Sequence, residues 1–129
     1  MAAFVKALES KTDLYTLSSA TAEQISNAEK SLNVKFSDEY KEYLAVHGVA
    51  SANAHEFTGI CQSSRLNVVD VTILERQRNP SVPLDYYVVE QVNMDSIVVW
   101  QTSMGTVYQS VKSTAPVELC SSLCEYLDI

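Results

Sequence analysis

Hydrophobic positions recur every three to four residues through the first part of the chain. In "AAFVKALESK", Phe4, Val5 and Leu8 share one helical face and predict a short helix. "LYTLSS" reads as a connector. In "ATAEQISNAEKSLNV", Ile25, Ala28 and Leu32 form the next stripe. Thr21 can cap its first N–H groups, and Gln24 stands where a capping box needs Glu or Gln. Glu23 suits the positive end of the helix dipole, so a helix is expected from about Ala22 to Leu32. "NVKF" interrupts the pattern. Ser37 then supplies an N-cap, Asp38 and Glu39 fill the first turn, and Tyr40, Tyr43, Leu44 and His47 line one face. Gly48 can close this helix in the left-handed conformation.

The period changes in the second half. "YYVVEQ", "SIVVWQ" and "GTVYQS" are short runs rich in Val, Ile, Tyr and Trp, and "VNMD" and "TSMG" are turn-like breaks between them. Three antiparallel strands follow, with "HEFTGI" a candidate fourth. "VVDVTILERQR" carries conflicting signals. Its β-branched residues favour a strand, whereas an Asn67 cap and helical spacing of Val68, Val69, Thr72 and Ile73 favour a helix. In "TAPVELCSSLCEYLDI", Thr114 can cap, Pro116 fits a first turn, and Val117, Cys120, Leu123, Cys124 and Leu127 make a stripe that predicts a C-terminal helix. The sum is an α+β fold: an antiparallel β-sheet of about four to six strands, with N-terminal helices and a C-terminal helix packed on one side.

The length of 129 residues is that of one domain, taken as residues 1–129. With 47% hydrophobic and 19% charged residues, the composition is that of a folded protein. The longest apolar runs, such as "IVVW", are far short of the ~20 residues a membrane-spanning helix needs. The first residues lack the apolar core of a secretory signal, so a cytoplasmic location is expected. A net charge of −7 argues against direct nucleic-acid binding and is compatible with a basic partner. Three cysteines, Cys61, Cys120 and Cys124, are expected to be reduced thiols.

Candidate chemistry is sparse. Cys120 and Cys124, four apart, could supply half of a zinc site with His47, His55 or Cys61, but no Cys-x2-Cys pair or spaced His pair accompanies them, and burial in a helix stripe is the favoured account of both. A Cys–His nucleophile has no supporting context, and with three glycines there is no phosphate-cradling loop. Asp38, Glu39 and Glu42 could be read as acid–base carboxylates, although the first helical turn explains two of them. Glu75, Asp85, Glu90 and Asp95 read as solvated charges. Trp100, Tyr86, Tyr87 and Tyr108 are core rings or interface anchors. No catalytic residue, metal or cofactor is assigned.

The stretch "ATAEQISNAEKSLNVKFSDEYKEYLAVHG" resembles the signature of the Smi/Knr superfamily, often called SUKH. That pattern is an acidic helix ending Glu-x-x-Leu-Gly, a short extended piece, Leu-Pro-x-x-Tyr, a second helix and Asn-Gly. Glu29, Leu32, Tyr40, Leu44 and Gly48 match it, while Asn33, Phe36, Ser37 and His47 stand in for Gly, Leu, Pro and Asn. Gly59 resembles the end of the family's short strand, and Val69, Thr72 and Arg76 fall at its next set positions, which tips the ambiguous segment to helix. The resemblance spans nearly the whole chain. It implies an α+β fold and a bacterial immunity protein that binds a basic toxin domain, often a nuclease, and neutralises it by occlusion. The alternative it implies is a general interaction module like fungal regulators of cell-wall signalling. A third reading, from another class, is a small enzyme using Cys61 or Cys120. For the immunity reading, Asp85, Glu90 and Asp95, with Tyr86, are the expected partner contacts, because they flank an aromatic-rich strand pair.

Overall fold

A computed structural model describes residues 3–92 and 96–129. Among the described residues the order is α1 (Ala3–Glu9), β1 (Tyr15–Thr16), α2 (Ala22–Leu32), α3 (Asp38–His47), β2 (Ala50–Ala52), β3 (His55–Phe57), α4 (Val68–Arg78), β4 (Tyr87–Val92), β5 (Ile97–Gln101), β6 (Val107–Ser110), β7 (Val117–Cys120) and α5 (Leu123–Tyr126). They build an α+β fold with two antiparallel sheets, β1-β2-β3 and β4-β5-β6-β7.

Local chemistry sets the helix bounds. At the start of α2, the Gln24 N–H donates to Thr21 Oγ1 at 3.1 Å, and the Thr21 N–H donates to Gln24 Oε1 at 2.8 Å. Asn33 ends the helix at φ 55°, the left-handed region that Asn tolerates better than most residues. Ser37 Oγ accepts the Tyr40 N–H at 3.0 Å to begin α3, whose Tyr40, Tyr43 and Leu44 are fully buried. Gly48, at φ 71°, closes it, and a side chain there would overlap the Ser18 carbonyl. Gly59 packs on the same spot from the other side, where a Cβ would overlap the Gly48 carbonyl oxygen. The conflict over α4 is settled by its cap: Asn67 Oδ1 accepts from Val69 N at 2.9 Å, and Val68, Val71, Thr72 and Glu75 turn inward at helical spacing.

The expected three-strand meander is present as β4, β5 and β6. The "VNMD" break falls largely on residues 93–95, outside the described residues. Three expectations are corrected. "HEFTGI" contributes β3, but to the smaller sheet, where it pairs with β2, and the connector "LYTLSS" supplies β1. The long C-terminal helix is instead strand β7 followed by four-residue α5. Val117 to Cys120 pair with the open edge of β6, a partner that local periodicity cannot reveal, and Ser122 starts a new helix by accepting the Glu125 N–H at 3.1 Å. Finally, helices lie on both faces of the larger sheet. Tyr87, Val89, Val99 and Val107 pack with α1, α2, α3 and α5, while Val88, Val98 and Trp100 pack with Val71 of α4 and with Val82.

The free edge of β4 is blunted by two threonines. Thr58 takes the Val89 carbonyl with its N–H at 2.9 Å and the Val88 carbonyl with its hydroxyl at 2.8 Å. Thr72 Oγ1 accepts the Val88 N–H at 3.0 Å.

Candidate protein-interaction surface

Period-two alternation would place Glu90 on the same face as Val88. A β-bulge intervenes: Val88 lies opposite Trp100, but Glu90 lies opposite Val99, so the residue between them is extra and Glu90 turns to the main core. It is 5% exposed. Its carboxylate accepts from the Glu56 N–H at 2.7 Å and the Tyr126 hydroxyl, and lies 2.9 Å from His55 Nδ1. The hydrogen bond to Glu90 raises the His55 pKa above its ordinary value, outweighing the burial that opposes it. Glu90 is thus a clasp between β3, β4 and α5 rather than a solvated charge. Glu75 is likewise buried, accepting from Gln91 Nε2 at 2.6 Å and Arg78 Nη1 at 3.3 Å. Asp95 lies outside the described residues.

Asp85 and Tyr86 do lie at the surface, on the face that α4 covers only in part. Tyr86 packs against Tyr108 with ring centroids 4.8 Å apart and ring planes tilted by 42°, and both residues are half-buried. Burial, followed by the neighbouring Tyr108 and the charge of Asp85, pushes the Tyr86 hydroxyl up to about 12. Tyr108 belongs to a row that crosses the whole sheet: Val88, Trp100, Tyr108 and Glu118 are successive partners in β4, β5, β6 and β7. The row runs from the buried Val88 and Trp100 to the exposed Glu118. Glu118 was missed in the sequence because "VELC" was read as helix. Its pairing potential with "VYQS" was the available signal.

Further along the strands from this row, over Gln91, Val98 and Ser110, lies a groove of about 640 Å³ between α4 and the sheet. Gln91, Val98 and Ser110 form its floor, with Arg78 and Lys112 among its lining residues. Trp100 Nε1–H donates to Ser110 Oγ at 2.9 Å beneath it.

The residues weighed for catalysis or metal binding are scattered. Cys61 and Cys120 donate to the carbonyls of Ser63 and Ser122, each at 3.4 Å, and Cys124 to that of Ala3 at 3.8 Å. Burial raises the Cys120 and Cys124 thiol pKa values, away from the thiolate that a nucleophile or zinc ligand requires. Among the described residues, no group of three or more His, Cys, Asp or Glu side chains is arranged to hold a metal. Glu39 accepts from the N–H groups of Leu123 and Cys124 at 2.7 and 3.0 Å, capping α5 from a distance. No helix among the described residues is long and apolar enough to cross a membrane.

A family model, SUKH_5, described as "SMI1-KNR4 cell-wall", matches residues 1–128. The chain belongs to the SUKH superfamily. No curated protein matches it. SUKH proteins interact with other proteins in immunity or regulatory roles and are generally non-catalytic. The SUKH signature residues have structural work here: Asn33 and Gly48 end helices, Tyr40 and Leu44 fill the core, and Gly59 allows the chain to pass against Gly48.

Proposed function

We propose that this chain is a single-domain bacterial immunity protein of the cytoplasm, which binds a cognate basic toxin domain, a nuclease, and neutralises it by occlusion. The match of a SUKH family model over residues 1–128 carries the reading. The net charge of −7 supports it, because an acidic protein is drawn to the basic groove with which a nuclease holds its substrate. Occlusion requires a surface and no turnover. The test is co-expression with the C-terminal domain encoded by the neighbouring gene. Rescue of growth supports immunity, and failure to bind any neighbouring domain removes it. With that domain in hand, the association rate should fall steeply as salt rises past ~0.1 M, where the Debye length is ~10 Å.

The "cell-wall" description of the matching family favours one alternative, a general interaction module related to fungal cell-wall regulators. In that case the chain would bind a host protein and give no protection against any toxin.

A further inference from the structure

On the α4 side of the larger sheet, α4 lies against β4 and leaves β6 and β7 open. The open area is divided by charge. At one end Tyr86 and Tyr108 pack together beside exposed Asp85 and Glu118. At the other, Arg78 and Lys112 line the groove, together with Glu75. Arg78 gives one N–H to Glu75 and leaves most of its five donors to solvent, its side chain being 63% exposed. Among the described residues Lys112 has no ion pair. Arg78 and Lys112 together outnumber Glu75, the one acid among the described residues that line the groove, a local reversal in a chain of net charge −7.

We propose that this face is the docking surface, and that it takes a partner segment in one polarity. A Lys or Arg of the partner lies over Asp85 and Glu118, its aliphatic stem against the Tyr86–Tyr108 pair. A carboxylate of the same segment reaches the groove at Arg78 and Lys112. Glu118 is the cross-strand partner of Tyr108, and Lys112 follows Tyr108 by four residues, so the two charged ends are roughly 14 Å apart, a span of about four extended residues. The identity of the partner, a basic toxin domain, rests on the immunity reading above. The face and its polarity rest on the charges and aromatic rings. Two half-buried tyrosines flanked by charges have the make-up of an interface anchor, where a ring supplies area and the rim sets orientation.

Polarity separates this proposal from steering by net charge. If overall charge alone mattered, Lys112→Glu would make the chain more negative and speed capture of a basic partner. A partner carboxylate seated at Lys112 reverses that expectation.

The probe is the catalytically inactivated domain encoded beside this chain's gene, with binding followed by surface-immobilised kinetics. Tyr108→Ala, Glu118→Lys and Lys112→Glu should each weaken binding at least tenfold, while Glu23→Lys, exposed on α2, should change it less than twofold. Glu118 and Lys112 are exposed, so their variants test the face without threatening the fold. Tighter binding by Lys112→Glu, or wild-type binding by all three face variants, overturns the proposal and leaves the immunity reading standing. No binding by the wild-type chain overturns both. A wild-type dimer that Glu118→Lys dissociates would mean that a second copy covers the face, and also overturns it.

Discussion

The two faces of the β4–β7 sheet handle tyrosine in opposite ways. On the main-core face, every buried phenol is tied to a partner. The Tyr87 hydroxyl accepts the Ser37 N–H at 2.9 Å and donates to Gln101 Oε1 at 2.8 Å. The Tyr43 hydroxyl donates to the Thr58 carbonyl at 2.7 Å and accepts the Ala50 N–H at 3.0 Å. Tyr40 bonds Thr58 Oγ1 at 2.9 Å, and because that hydroxyl already donates to Val88, Tyr40 is the donor. Burial drives the pKa values of Tyr40, Tyr43 and Tyr87 upward, so all three stay neutral donors. On the α4 face, among the described residues, Trp100 is closed in this way, and Tyr86 and Tyr108 remain at the rim. An aromatic ring goes fully inside where the fold offers its polar atom a partner, and stays available for recognition where it does not.

This contrast predicts a gradient of mutational effects. Leu44, fully buried beneath the tyrosine network, should show the largest: Leu44→Ala is expected to cost about 4 kcal/mol in urea unfolding. An unchanged midpoint would break the assignment of α3 to the core. Glu90→Gln keeps the shape of the clasp but removes the charge that three groups share, and should cost about 2 kcal/mol. Were Glu90 a surface contact, its loss would leave the unfolding midpoint unmoved.

A smaller effect should appear as a pH dependence of the same clasp. His55 has a raised pKa in the fold, chiefly through Glu90. Such a histidine contributes stability that is complete below its unfolded value of roughly 6.5, and is lost as pH rises through the raised value. The stability gap between wild type and His55→Gln should therefore shrink between pH 5.5 and pH 8.5. A gap that is constant across this range would show that His55 holds the clasp without its charge. Smallest of all, Glu118→Lys on the open face should alter stability by no more than about 0.5 kcal/mol. A larger loss would mean that Glu118 serves the sheet rather than a partner.

What could be read in the sequence was what neighbouring residues decide. The Thr21–Gln24 box, the Ser37 cap and the Gly48 stop lie within a few positions of the helices they bound, and these helices emerged at their expected limits. The pattern failed where a distant strand decides. "VELC" has a credible helical stripe with "LCEYL", yet the unpaired edge of β6 draws it into the sheet. One extra residue at Val89 reverses the direction of Glu90, and no periodicity within "YYVVEQ" marks it. Hence the candidate surface was half legible. Asp85 and Tyr86 precede the bulge and are found outside, Glu90 follows it and is found inside, and Glu118 was hidden by the misread strand.

The Glu39 cap on α5 also bears on how the chain reaches this state. A helix of four residues does not persist alone, since nucleation outweighs the few bonds it gains. Its first two N–H groups wait for a carboxylate 84 and 85 positions earlier. Closing so long a loop is entropically expensive and tends to come late. On a ribosome, α1 to α4 can form as they emerge, whereas α5 gains its cap only after residue 124 is free to return to α3. Until then Leu123, Tyr126 and Leu127 have not covered the core, and the nascent protein exposes an apolar seam to whatever chaperone or protease meets it first.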